Sequence, residues 1–127
     1  MRNFVGLDKV SKDSLRIIID DAKVLKQKRK KLLKGMLDKN QVLKGYLVAL
    51  VFGKPSTRTR VSFDVGVRQM GGKSLILSAS EMQLRNGESI FDTAKVLSRY
   101  VDMIMIRTFD EDILTSLEKF SSVPVIN

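Results

Sequence analysis

Residues Leu47-Val48-Ala49-Leu50-Val51-Phe52 form an unbroken apolar run bounded by turn signals. A strand with one wet face alternates apolar and polar residues, so a strand with no alternation must be covered on both faces. That requirement narrows the fold before anything else is read. Directly after the run come Gly53-Lys54-Pro55-Ser56 and then an amphipathic stretch, Val61 to Met70, whose apolar residues Phe63, Val67 and Met70 recur at i, i+4 and i+7. The pattern predicts a strand, a tight turn and a helix over Ser56 to Met70, with the proline tolerated in the helix's first turn, where an N–H would have no partner.

Such a turn gathers open backbone N–H groups, the hydroxyls of Ser56, Thr57 and Thr59 and the guanidinium of Arg58 at the positive end of a helix dipole. This is an anion site in outline, with phosphate as the expected anion. Composition alone leaves a second reading open, a solvated and well-capped helix start.

The rest of the chain repeats the alternation. Ser11 is the expected cap of a helix whose face Leu15, Ile18, Ile19, Ala22 and Leu25 points inward, stopped by Gly35 and Asp38-Lys39-Asn40. Gly71-Gly72 ends the helix after the turn, and Ser74 to Leu77 is a second strand. Gly72-Lys73-Ser74 imitates the end of a nucleotide-binding P-loop, but Val67 stands where its first glycine belongs, and a helix precedes where a strand should. Ser78 to Gly87 is a polar loop of functional length. Ser89 and Asp92 make a capping pair for a helix through Ile90, Ala94, Leu97 and Val101. Met103 to Ile106 is a third strand ending in Arg107, Asp110 caps a helix through Phe120, and Val123 to Ile126 is a fourth strand. The expected fold is a three-layer α/β/α domain with a four-stranded parallel sheet flanked by helices, over residues 1–127. In such sheets ligands lie beyond the carboxyl ends of the strands. The Ser56 turn, the loop with Gln83, and Arg107 all follow strand ends, so all three belong to one edge.

Composition restricts the chemistry. With no cysteine and no histidine, disulfides, thiolates, the usual zinc sites and imidazole catalysis are excluded. Arginine, lysine, carboxylates, hydroxyls and backbone dipoles remain, and no cofactor or metal is expected. No segment is apolar enough to cross a bilayer, and no signal-peptide core follows Met1, so a cytoplasmic protein with no membrane partner is expected. A net charge of +9 calls for an anionic partner. Much of it sits in Lys23, Lys26, Lys28, Arg29, Lys30, Lys31 and Lys34, a segment without aromatics for stacking on bases, which reads as a solvated face. A basic nucleic-acid-binding module is the rival from another class.

The full string Ser56-Thr57-Arg58-Thr59-Arg60 closely resembles the carbamoyl-phosphate signature of the aspartate and ornithine carbamoyltransferase family. Further likenesses follow in family order: Gly71-Gly72, Gln83-Leu84-Arg85-Asn86-Gly87-Glu88-Ser89, Asp92-Thr93-Ala94, Val96-Leu97-Ser98-Arg99-Tyr100 and Ile106-Arg107-Thr108-Phe109. The resemblance implies that Ser56, Thr57, Arg58 and Thr59 contact the phosphate, that Arg107 reaches the phosphate and carbonyl oxygens, and that Gln83 serves a neighbouring subunit of a trimer. Arg58 and Arg107 are then the catalytic candidates. Arg60 is expected to hold the turn. Each has a plain competitor: Arg107 could pair with Asp110, and Gln83 could be an ordinary loop residue. Lys54, the Gln83-Leu84-Arg85 loop and Arg107-Thr108-Phe109 lean to the ornithine branch, with aspartate, putrescine and ornithine-like amines as other acceptors. Relatives continue past residue 127 into a His-Pro-x-Gln element and a second, amine-binding domain, so this chain alone is expected to lack transferase activity. A terminal helix also packs back on this domain in relatives, which predicts an exposed apolar patch here.

Overall fold

The computed structural model describes residues 3–78 and 89–127. Helix α1 (Lys12–Arg29) is followed by β1 (Leu47–Phe52), α2 (Thr57–Gln69), β2 (Lys73–Ser78), α3 (Ile90–Tyr100), β3 (Met103–Arg107), α4 (Glu111–Phe120) and β4 (Val125–Ile126). The strands form one parallel sheet in the order β2-β1-β3-β4. β1 is central, and its alternate side chains enter a core on each face of the sheet, which is why it carries no polar residue.

Successive side chains of a strand point to opposite faces. Ala49 and Val51 join Ile104, Ile106 and Val125 in a core closed by Ala94 and Val101 at α3 and Leu117 of α4. Val48, Leu50 and Phe52 join Met105 and Val67 in a second core, with Phe63 of α2 packed against it. The expected three-layer α/β/α arrangement is therefore present.

The helix ends follow local chemistry. The Ser89 hydroxyl accepts the Asp92 N–H at 3.1 Å and donates to its carboxylate at 2.6 Å. The Asp110 carboxylate accepts from the amides of Asp112 and Ile113 at 3.0 and 3.2 Å. Gly71 closes α2 with φ of 86°, a left-handed conformation that favours glycine, and a Cβ there would come within 2.8 Å of Gln41.

Three expectations need correction. The face of α1 expected inward is not covered: Ile18 is 48% exposed, Ile19 46% and Leu25 40%. Amphipathic spacing shows which face prefers burial but does not supply the surface that buries it. α1 is tied at its flanks instead, by Lys9 to Glu118 at 2.8 Å and by Arg29 to the Asp38 carboxylate and the Met36 carbonyl. The helix also ends at Arg29, before Gly35, so Lys30, Lys31 and Lys34 lie outside it. The fourth strand is only Val125–Ile126, because β3 offers β4 only Ile104 and Met105 as partners.

Asp64 joins α2 to β2. Its carboxylate accepts a hydrogen bond from the Ser74 hydroxyl and another from Arg68 at 2.9 Å. The Ser74 hydrogen bond first, then Arg68, hold its pKa below the ordinary carboxylate value, against partial burial, which raises it. A depressed folded-state pKa gives a contribution that is whole above the unfolded value near 3.8 and lost as pH falls through the lower folded value. Asp64→Asn is therefore expected to flatten the acid limb of the stability curve below about pH 4, measured by urea denaturation across pH, with an unchanged slope ruling the linkage out.

Candidate anion-binding site

The site begins where two neighbouring strands end. Phe52 of β1 lies opposite Arg107 of β3 and Ser78 of β2, so the chain leaves the sheet at one edge in three places. The Gly53 N–H extends the ladder by donating to the Arg107 carbonyl at 2.8 Å. A Cβ on Gly53 would sit 3.2 Å from that carbonyl oxygen and 3.3 Å from the Thr108 hydroxyl. Glycine is what lets the two exits lie side by side. Gly53→Val is expected to destabilise the fold by about 1–3 kcal/mol, the usual range for overpacking, and to weaken phosphate binding in the folded fraction. Chemical denaturation and calorimetry measure the two separately, and wild-type values in both would refute the close-approach argument.

From Gly53 the chain turns through Lys54 and Pro55 into α2, with Ser56 as its N-cap residue. The Ser56 hydroxyl makes no capping bond, and the first amide of this end bonded inside the helix is that of Arg60, to the Ser56 carbonyl at 3.0 Å. The amides of Thr57, Arg58 and Thr59 have no protein partner among the described residues. The other helices are capped by Ser11, Ser89 and Asp110. An N-cap hydroxyl normally satisfies one of these donors; here all three are left for something else.

Their residues help to line a cavity of about 450 Å3, whose described lining is Pro55, Ser56, Thr57, Arg58, Thr59 and Arg107. Arg107 crosses from β3 and donates a guanidinium hydrogen bond to the Thr59 hydroxyl. It makes no ion pair with Asp110, whose carboxylate is engaged in capping α4. The competing reading of Arg107 is thereby excluded. Among the described residues no carboxylate lines the cavity, so two guanidinium groups and a helix N-terminus share it there without a counter-charge, an arrangement that favours a multivalent anion. Arg60 is not part of the lining; its charge acts on Asp64 along α2. Gln83 lies outside the described residues.

Sequence reasoning passed over one contact. The Lys54 ammonium sits 3.1 Å from the centroid of the Phe109 ring. Desolvation first, then the positive charge of Arg107, holds the Lys54 pKa below the ordinary lysine value. No local pattern announces this pair, because only the β1–β3 register brings the two turns together.

The model of the aspartate/ornithine carbamoyltransferase carbamoyl-phosphate-binding domain matches residues 2–127. The chain belongs to the aspartate/ornithine carbamoyltransferase family. Within that family it is 58% identical over 127 residues to the ornithine carbamoyltransferase of Roseobacter denitrificans, covering all of this chain and 41% of that protein. The ornithine carbamoyltransferase of Mesorhizobium japonicum is 53% identical, with 40% of its length covered. Among solved carbamoyltransferases, the ornithine carbamoyltransferase of Pyrococcus furiosus superposes with a TM-score of 0.89 at 43% identity, over 99% of this chain and 39% of that one. An acetylornithine transcarbamylase bound to acetylcitrulline gives a TM-score of 0.82 at 32% identity, over 100% of this chain and 42% of that one. The chain thus spans about two-fifths of the length of the curated relatives it matches.

Proposed function

We propose that this chain is the carbamoyl-phosphate-binding part of an ornithine carbamoyltransferase, a protein that moves the carbamoyl group of carbamoyl phosphate to the side-chain amine of ornithine, giving citrulline and phosphate. The observation that carries this reading is the cavity where Arg58, Arg107 and the open start of α2 meet with no carboxylate among the described lining residues. The ornithine assignment follows the names of relatives at 53–58% identity. The acetylcitrulline complex of a more distant relative supports an acceptor of ornithine type over aspartate or putrescine.

The residues suit the reaction. Attack of an amine on the carbamoyl carbon builds negative charge on the carbonyl oxygen and then expels phosphate, so positioned cations and N–H donors are needed and a nucleophilic side chain is not. In our reading Arg107 polarises the carbonyl oxygen and shares the leaving phosphate with Arg58. The amides of Thr57, Arg58 and Thr59 and the hydroxyls of Ser56 and Thr59 hold the phosphate oxygens at the positive end of α2. The amine site belongs, in this reading, to the three-fifths of the relatives' length that this chain does not span, and the described residues hold the phosphate donor. The same part would cover the apolar face of α1. A cytoplasmic homotrimer in arginine metabolism, with Gln83 acting across the subunit interface, completes the proposal and rests on the family resemblance.

Inorganic phosphate tests the reading directly. A ligand at one hundred times its Kd stabilises a fold by about 2.7 kcal/mol, roughly ten degrees in Tm for a domain of this size. Thermal unfolding is expected to shift upward by that amount with phosphate. Steeply salt-dependent RNA binding with no phosphate effect would favour the nucleic-acid module instead.

A further inference from the structure

We propose that Lys54 and Phe109 form a clasp across the rim of the anion site, holding the β1–α2 turn against the β3–α4 turn so that Arg107 stays aimed at the start of α2. Lys54 directly follows Gly53, and Phe109 stands two residues beyond Arg107. The two turns are otherwise joined, among the described residues, by the Gly53–Arg107 backbone bond and the Arg107–Thr59 side-chain bond. The clasp is a third tie, and it lies outside the cavity lining.

The choice of partners has a physical reason. Lys54, Arg58 and Arg107 bring three positive charges to adjacent turns, and like charges push those turns apart. A carboxylate could hold Lys54, but it would also compete with the substrate anion for the guanidinium groups. The face of an aromatic ring attracts the ammonium while carrying no net charge. It fixes Lys54 and leaves both arginines available. Phe109 is 82% exposed, and among the described residues no core packing holds its ring and the ring contact it makes is with the Lys54 ammonium. The nearness of Lys54 to Arg107 also shows in the lowered lysine pKa. Lys54 and Phe109 are positioning residues for Arg107, and this role deepens the proposed phosphate site.

Hydrogen exchange of the Gly53 amide reads the clasp without any ligand, because that N–H is bonded to the Arg107 carbonyl. Lys54→Met and Phe109→Leu are each expected to speed its exchange about three- to fivefold, the size of an exposed cation–π contact, and the double variant no further. Lys54→Arg and Phe109→Tyr, which keep a cation and a ring, should stay near wild type. Additive effects, no effect, or equal damage from the conservative pair would overturn the clasp. Calorimetry with inorganic phosphate supplies the second arm, where affinity is expected to fall by the same factor in both disruptive variants. Weakened binding in Lys54→Met with Gly53 exchange unchanged would mean that Lys54 touches the anion itself, which refutes the clasp. Faster Gly53 exchange in a chain that binds no phosphate would leave the clasp standing and sink the phosphate reading.

Discussion

Replacing Arg58 by alanine is expected to lower the affinity for inorganic phosphate by about a hundredfold, measured by calorimetry at low salt. A charge-assisted hydrogen bond contributes about 1.5–3 kcal/mol, and about 1.4 kcal/mol corresponds to tenfold in Kd. Arg58 offers the fork geometry that takes two oxygens at once. Its side chain is exposed, with no intramolecular partner among the described residues, so its loss should leave the phosphate-free Tm within about two degrees of wild type. Arg107→Met should weaken phosphate binding comparably, but it also removes the bond to Thr59 and so loosens the second turn. A phosphate affinity unchanged in Arg58→Ala would remove the central support of the proposed function.

The second large effect belongs to the sheet. Leu50 is wholly buried on the face covered by α2, beside Phe52, Val67 and Met105. Leu50→Ala should cost about 3 kcal/mol, within the 2–5 kcal/mol found for such truncations, through lost transfer energy and the cavity left behind. The corresponding drop in Tm is about ten degrees. At a temperature where the variant is still folded, its phosphate affinity should match wild type, because none of the lining residues is changed. A stability loss below about 1 kcal/mol would mean that this face is not packed as described. A loss of affinity in the folded variant would mean that the α2 start is held by the core more than by its own turn.

Much of the site was legible because its parts are local. Ser56, Thr57, Arg58 and Thr59 lie together in one helical turn, and a strand-turn-helix pattern is enough to place them. Arg107 could be assigned to the same edge from strand order alone, since parallel strands release the chain at one end of the sheet. Its partner could not. Asp110, three residues away, was a competing neighbour, and only the fold shows Asp110 capping α4 and Arg107 on Thr59. The sequence reading of α1 failed for the opposite reason. Periodicity marked an apolar side, yet burial of Ile18, Ile19 and Leu25 depends on a surface that periodicity does not describe.

From the order of residues alone came the alternation of strands and helices, the double-sided burial of β1, the capping of α3 and α4, and the cluster of donors that opens α2. All of these are set by neighbours within about one turn or one strand, where side-chain chemistry and backbone geometry act directly. Only the tertiary structure decided that Gly53 lies against the Arg107 carbonyl, that Arg107 chooses Thr59 over Asp110, and that Lys54 rests on Phe109. Each of those contacts joins residues about fifty positions apart, and the register between β1 and β3 is what brings them within reach.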